Sequence, residues 1–134
     1  MPQLRIRDAA AFLGVSDDTL RRLIDIGSLT ADVDGSGRKV IDGLELARYA
    51  RERATPPPDP LGVFSSARNR FVGLVTDIKR DAVMAQVEMQ CGPYRVVSLM
   101  SAEAVDDLGL ELGSVAVAVV KSTTVIVETK GNSA

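Results

Sequence analysis

Thr55-Pro56-Pro57-Pro58-Asp59-Pro60 is the stretch that divides this chain of 134 residues into two parts. Proline lacks a backbone N–H and fixes φ, so a run of prolines favours a stiff, extended connection over a helix or a central strand. Apolar residues before the run are spaced as in helices, whereas those after it are mostly spaced as in strands. The sequence therefore predicts two small domains, residues 1–54 and 66–130, joined by a proline-rich linker over 55–65.

The composition of the chain limits the classes of function. Hydrophobic residues make up 46% and charged residues 25%, as in an average soluble protein. No apolar run approaches the roughly 20 residues that cross a bilayer, and the start of the chain lacks a signal-peptide pattern, so we expect a cytoplasmic protein with no membrane partner. The chain has no histidine and a single cysteine, Cys91. We therefore expect no enzyme, no catalytic residue and no directly ligated metal, and we assign Cys91 to a turn.

Two short helices separated by a tight turn are predicted before the linker. Asp8–Gly14 has an acidic start and a glycine stop, and Ser16 can cap a second helix from Asp17 to about Ile26. This arrangement is typical of DNA-binding helix-turn-helix units, in which the second helix enters the major groove. Core positions on that helix are predicted at Leu20, Leu23 and Ile24, and outward positions at Thr19, Arg21 and Arg22.

The segment Leu4–Arg53 resembles the winged helix-turn-helix of the MerR and phage excisionase families. The resemblance rests on Ala9-Ala10, Leu13-Gly14-Val15-Ser16, Thr19-Leu20-Arg21-Arg22-Leu23 and Gly27-Ser28-Leu29. Asp34–Val40 occupies the place of the wing hairpin, and Asp42 can cap a third helix over Leu44–Arg53. The resemblance implies that double-stranded DNA is contacted through Ser16, Thr19, Arg21, Arg22, Arg38 and Lys39.

The charge of the chain leaves an alternative open for this unit. A net charge of −2 excludes a broad basic field, and Asp17 and Asp18 sit where the second helix would approach DNA. In the alternative interpretation, Arg21 and Arg22 only solvate a helix face and the unit contacts another protein.

Five strands and one short helix are predicted after the linker. Ser101 begins the helix and Gly109 ends it. These elements predict a Greek-key barrel of the oligonucleotide/oligosaccharide-binding (OB) kind, which closes most of its edges. The predicted strands are Phe71–Ile78, Val83–Met89, Tyr94–Met100, Ser114–Lys121 and Val125–Glu128.

This second segment resembles the molbindin domain, also called the Mop or TOBE domain, of molybdate-binding proteins and molybdate-responsive repressors. The resemblance rests on Ser66-Ala67-Arg68-Asn69, Gly73-Leu74-Val75, Ser101–Leu110, Gly113 and Val119–Val125. It implies that a tetrahedral oxyanion, molybdate or tungstate, is bound through Ser66, Arg68, Ser101, Lys121 and Ser122.

The chemistry of an oxyanion suits these residue types. Molybdate is a dianion that needs hydrogen-bond donors and positive charge around its oxygens, which serine, arginine, lysine and backbone N–H groups supply. Ala104 falls where some repressors of the family have a serine, so one donor is expected to be missing. Each residue also has an ordinary interpretation: Lys121 as a solvated strand end, Ser66 and Arg68 as linker residues, and Ser101 as a helix cap.

The resemblance also implies an assembly. Domains of this family hold the oxyanion between subunits or paired domains, and this chain carries one copy, so a homo-oligomer is expected, a dimer or a hexamer. The first hypothesis is a molybdate-sensing transcriptional regulator. The second is an intracellular molybdate carrier or store whose N-terminal unit docks another protein.

Overall fold

The chain separates into two units in a computed structural model that describes residues 2–131. One unit ends at Thr55 and the other begins at Pro56. No helix among the described residues is long and apolar enough to cross a bilayer.

The N-terminal unit combines three helices with a small antiparallel sheet of order β1-β3-β2. β1 precedes the first helix and pairs with β3, with Arg5 opposite Val40. The elements are β1 Gln3–Arg5, α1 Ile6–Leu13, α2 Asp17–Asp25, β2 Asp32–Val33, β3 Lys39–Asp42 and α3 Gly43–Arg53.

Local capping defines where these helices begin and end. Gly14 ends α1 with φ of 67°, a conformation that glycine adopts without strain. The Ser16 hydroxyl accepts a hydrogen bond from the Thr19 N–H at 3.1 Å, and the Asp42 carboxylate accepts one from the Glu45 N–H at 3.2 Å. Both predicted N-caps are therefore confirmed. The first helix begins two residues earlier than predicted, directly after β1.

One apolar core holds the three helices against the sheet. Leu20, Leu29 and Ile41 are at most 1% exposed, and Leu23 and Ile24 pack against them half-buried. The other buried members of this core are Ile6, Ala9, Ala10 and Leu46.

The wing between β2 and β3 is organised by Asp34. Its carboxylate accepts hydrogen bonds from the backbone N–H groups of Ser36 and Arg38, at 2.9 and 3.0 Å. The Arg38 N–H and the Ser36 hydroxyl hold the pKa of Asp34 below its ordinary value. Gly37 turns the chain with φ of 80°. Lys39 begins the returning strand, and Arg38 directly precedes it.

The C-terminal unit is a curled antiparallel half-barrel with one short helix. Its four strands have the order β6-β5-β4-β7, with β4 paired to both β5 and β7. The elements are β4 Asn69–Arg80, β5 Met84–Cys91, β6 Tyr94–Ser101, α4 Ala102–Leu108 and β7 Val115–Val120, followed by a 3₁₀ turn at Ser122–Thr124. The predicted fold class, a helix-turn-helix unit followed by an OB-like sheet with one helix, is confirmed.

Alternation along β5 builds the core of this unit. Ala85, Val87, Met89 and Cys91 are buried at every second position, as expected for a strand with one covered face. The predicted turn position of Cys91 is wrong, because the turn is formed by Gly92 and Pro93 and Cys91 pairs with Tyr94 at the end of β5. Burial raises the pKa of its thiol.

The predicted last strand over Val125–Glu128 is also wrong for the single chain. The segment follows the 3₁₀ turn without strand pairing, and Ile126 and Val127 are 84% and 87% exposed. Apolar spacing indicated a strand, but a strand needs a hydrogen-bonded neighbour, and this one has none among the described residues. The sheet is accordingly open between β6 and β7.

Candidate functional site

Four of the five predicted oxyanion residues meet at one end of the β4–β7 pair. Asn69 is paired with Val120, so the same register brings Arg68 opposite Lys121 just beyond the last pair. The Asn69 side-chain amide donates to the Val120 carbonyl at 3.1 Å and fixes this end of the ladder. Ser66 and Ser122 are the next predicted residues on the two chain segments.

Turn chemistry shapes the Lys121 side of this end. Lys121 precedes the 3₁₀ turn, and its carbonyl accepts from both the N–H and the hydroxyl of Thr124, at 3.0 and 2.9 Å. Arg68 and Lys121 are exposed, and among residues 2–131 neither lies within 4.0 Å of a carboxylate. Two cations and two hydroxyls therefore lie on the two chain segments that leave this end of the ladder.

Ser101 lies at the other end of the sheet. It pairs with Met84 on β5, next to the end of β4, where Arg80 pairs with Ala85. The length of β4 separates Asn69 from Arg80, and eleven steps of about 3.3 Å along the strand make roughly 36 Å. Ser101 therefore does not join the Arg68–Lys121 end within one chain. Its hydroxyl accepts from the Ala104 N–H at 3.0 Å and caps α4.

The concave face of the half-barrel is an uncovered apolar groove of about 410 Å³. Side chains from β5, β6 and β7 line it, including Val96 and Val117. Several apolar side chains of the unit are exposed beyond what a self-contained barrel leaves open, among them Leu99 at 70%.

In the N-terminal unit, the two arginines of α2 point in different directions. Arg21 is exposed and forms an ion pair with Asp18 at 3.5 Å. Arg22 is exposed on the face of α2 opposite Leu20. Asp18, one helical turn before Arg22, and Asp25, one turn after it, lie on the same face. The outward face of α2 therefore carries mixed charge.

Thr19 does not share the face of Arg21, and the prediction that both point outward together is wrong. Residues two positions apart on a helix are separated by about 200°. Thr19 is half-buried in a depression between Phe12, Leu23 and Tyr49. Its hydroxyl lies 3.0 Å from that of Ser16, within the cap of α2.

A shallow basic depression forms where the start of α1, the start of α2 and the wing meet. Arg21 lines it together with Arg38 and Lys39 of the wing, so three predicted DNA-contacting residues are brought together. Two cations that the sequence analysis did not select, Arg5 and Arg7, also line it. The signal that could have found them is two arginines flanking a helix start, where acidic or capping residues are favoured.

Comparison with family models assigns each unit separately. Residues 65–127 match the model described as the TOBE domain. Residues 4–54 match the model described as a helix-turn-helix domain.

Relatives of the C-terminal unit include proteins consisting of little else. Molybdenum-pterin-binding protein 3 of Clostridium pasteurianum is 38% identical over 63 residues, which are 46% of this chain and 93% of that protein. The molybdenum transport protein ModE of Herbaspirillum seropedicae is 36% identical over 66 residues, which are 48% of this chain but 24% of that protein. A solved molybdate-binding protein from Sporomusa ovata is 30% identical, is covered completely by 50% of this chain, and superposes with a TM-score of 0.48.

Proposed function

Since the chain belongs to the TOBE-domain family of molybdenum-pterin-binding proteins, we propose that its C-terminal unit binds molybdate and that its helix-turn-helix unit makes it a molybdate-responsive transcriptional regulator. The observation that supports the first half is the register of the β4–β7 ladder, whose last pair, Asn69 and Val120, lies next to Arg68 and Lys121 in the chain. The second half is supported by the helix-turn-helix unit with its basic depression. The protein acts in the cytoplasm and has no catalytic activity.

The oxyanion is held by donors rather than by bonds to the metal. Arg68 and Lys121 supply charge-assisted hydrogen bonds, and Ser66 and Ser122 supply hydroxyl donors. Tungstate, with the same charge and nearly the same size, binds the same groups. Sulfate is smaller because its bonds to oxygen are shorter, so it binds much more weakly.

A second copy of the chain completes the site. Ser101 is the fifth residue of the set, and it lies at the far end of the sheet from Lys121, so its hydroxyl reaches the anion only from another subunit. The uncovered groove and the exposed Ile126 support such a contact, since both are apolar surfaces that association buries. The assembly is therefore a homodimer or a hexamer with anions at subunit interfaces.

Calorimetric titration with molybdate tests the ligand. We expect a micromolar or tighter constant, equivalent to about 8 kcal/mol, and at least a ten-fold loss for Lys121→Ala or Arg68→Ala. Lys79→Ala removes an exposed cation elsewhere on the sheet and serves as the matched control. Equal heats for molybdate and sulfate, or a Lys121→Ala titration like that of the parent, would refute the assignment.

Mixing two variants tests whether the site is shared. Ser101→Asp keeps an N-capping oxygen but places a negative charge against the anion, and Lys121→Ala removes a cation. If the two residues come from different subunits, a heterodimer of the two variants has one intact site and one doubly damaged site. After subunit exchange, about a quarter of all sites should then bind as in the parent. Mixtures that bind no better than either variant alone would contradict a shared site.

The alternative function is a molybdate carrier or store whose N-terminal unit docks a protein. The mixed charge of the α2 face favours it, because Asp18 and Asp25 repel phosphate on either side of Arg22. Selection of genomic DNA fragments on the purified protein, with and without molybdate, decides between the two. A regulator enriches specific fragments in one condition more than in the other, whereas a carrier enriches none in either.

A further inference from the structure

Arg5 and Arg7 occupy positions that a helix start does not favour. Arg5 is the N-cap residue of α1, and its side chain makes no capping hydrogen bond. Serine, threonine, aspartate and asparagine stabilise this position because their side chains accept from the first turn, whereas a guanidinium only donates. The first turn also carries partial positive charge, which repels two arginines beside it.

The surroundings do not offset this local cost. Among residues 2–131, neither arginine lies within 4.0 Å of a carboxylate oxygen. Asp17 lines the same depression and Asp18 pairs with Arg21 at 3.5 Å, but two carboxylates against five cations leave an excess of positive charge. An unfavourable helix start that neighbouring side chains do not stabilise is typical of a site that a ligand stabilises.

The fold brings these arginines to the wing rather than leaving them on a separate face. β1 pairs with β3, so Arg5 lies opposite Val40. Val40 follows Lys39 directly on β3. Arg38 and Lys39 approach the depression from the wing, and Arg21 approaches it from α2. The cations therefore come from three segments of the chain, as required to surround one small anionic group.

We propose that this depression seats a backbone phosphate of double-stranded DNA, with Arg5 and Arg7 as its contacts from the start of α1. The inference rests on the proposed DNA-binding function. It adds two residues that contact the DNA backbone and therefore do not read the base sequence. A phosphate suits the depression because guanidinium groups bind its oxygens in pairs and because the seat lies between α2 and the wing. Arg22, on the outward face of α2, lies outside the seat and is the residue positioned to read bases.

The test uses the full-length protein and a fluorescent mixed-sequence DNA duplex of about 24 base pairs. Binding is measured by anisotropy from about 20 to 200 mM salt, since each phosphate contact contributes about 0.9 to the slope of log K against log salt. The test variant is Arg5→Ser with Arg7→Gln. The control is Arg48→Gln with Arg51→Gln, which makes the same change in net charge on exposed positions of α3.

We expect the test variant to lose about one unit of slope, the contribution of one phosphate, and at least ten-fold in affinity, while the control changes little. Arg5→Ser also introduces a favourable cap, so the midpoint of thermal unfolding of the N-terminal unit should rise by a few degrees as DNA binding falls. This opposite movement distinguishes a lost contact from a damaged fold. A test variant with the slope of the parent, or a parent that does not bind the duplex at the lowest salt, overturns the phosphate seat. The proposed function is judged separately, by fragment selection, and survives either result if specific fragments are enriched.

Discussion

The two units of the chain differ in how far each covers its own apolar surface. In the N-terminal unit, three capped helices and a small sheet enclose a core in which Leu20 and Ile41 are completely buried. In the C-terminal unit, the sheet is open between β6 and β7, one apolar face forms a groove, and Ile126 is exposed. Helices satisfy their backbone groups internally and need only a cap at each end, whereas a sheet edge needs another strand.

This difference teaches what each unit requires to be complete. The helical unit encloses its core within one copy, and the residues proposed to contact DNA on its surface are mostly charged. The half-barrel leaves a sheet edge and an apolar groove uncovered, and these are the surfaces that a second copy is proposed to bury.

Gly73→Ala should unfold the C-terminal unit and leave the N-terminal unit intact. A Cβ at this position would lie 2.5 Å from the Gln90 carbonyl oxygen and 2.6 Å from the Cys91 sulfur, so β4 and β5 must separate. We expect a loss of about 3 kcal/mol or more, measured by urea unfolding followed separately for each unit by NMR. Gly35→Ala, where a Cβ meets nothing within 4 Å, is the control and should change little.

Leu20→Ala should damage the other unit alone. Its side chain is 0% exposed at the centre of the helical core, and a cavity there costs roughly 2 to 5 kcal/mol. The same unfolding measurement should lose the N-terminal transition first and retain the signals of the half-barrel. Leu44→Ala, at a leucine that is 46% exposed, gives the comparison. If both units unfold together, they are one cooperative structure and the contrast between them is mistaken.

Ser16→Ala and Ser101→Ala should cost the same stability but differ in ligand binding. Each hydroxyl accepts one N–H at the start of a helix, at 3.1 and 3.0 Å, so each loss is about 1 kcal/mol in its own unit. Only Ser101→Ala should also weaken molybdate binding in calorimetry. An unchanged molybdate constant would leave Ser101 as a cap and nothing more.

Acid should weaken the attachment of α4 to β4. Arg80 donates to both carboxylate oxygens of Asp106, at 2.8 and 3.1 Å, and this side-chain pairing lowers the pKa of Asp106. Because the folded pKa lies below the unfolded one, the stabilisation is present above the ordinary aspartate value near 4 and is lost as pH falls through the folded value. Asp106→Asn should flatten the stability curve of the C-terminal unit in that acidic range. A curve as steep as that of the parent would show that other carboxylates are responsible.

Much of the fold follows from local signals in the sequence. Gly14, Ser16 and Asp42 mark helix ends because each forms its turn or cap with backbone groups only a few residues away. The alternation that predicts the core face of β5 is likewise a pattern among neighbouring residues. The elements that local signals misjudge depend on distant partners. β1 is three residues long and exists because β3 pairs with it, and Val125–Glu128 has strand composition but no partner in the chain.

The candidate site divides in a similar way. The placement of Arg68 and Lys121 at the same end of the β4–β7 ladder depends on a register between residues far apart in sequence, and it is expected only through the family resemblance. The placement of Thr19 beside Phe12 follows from helix geometry, which already separates Thr19 from Arg21. The location of Arg5 and Arg7 depends on the pairing of β1 with β3, which no local pattern indicated.

β4 is irregular near the point where it passes from β5 to β7, and this irregularity affects the shape of the sheet. Between Val75, paired with Met89, and Asp77, paired with Glu88, β4 contains one residue more than β5, and Thr76 is that residue. If Thr76 were deleted, the strand pairs on either side of it could still form and Val75 and Ile78 would still face inward. Thr76 is therefore not needed to keep β4 and β5 in register. The extra residue forms a β-bulge, which makes β4 longer than β5 over this stretch. The bulge bends β4 near the point where it passes from β5 to β7. The bulge at Thr76 thus contributes to the direction in which β4 approaches Arg68, eight residues earlier in the chain.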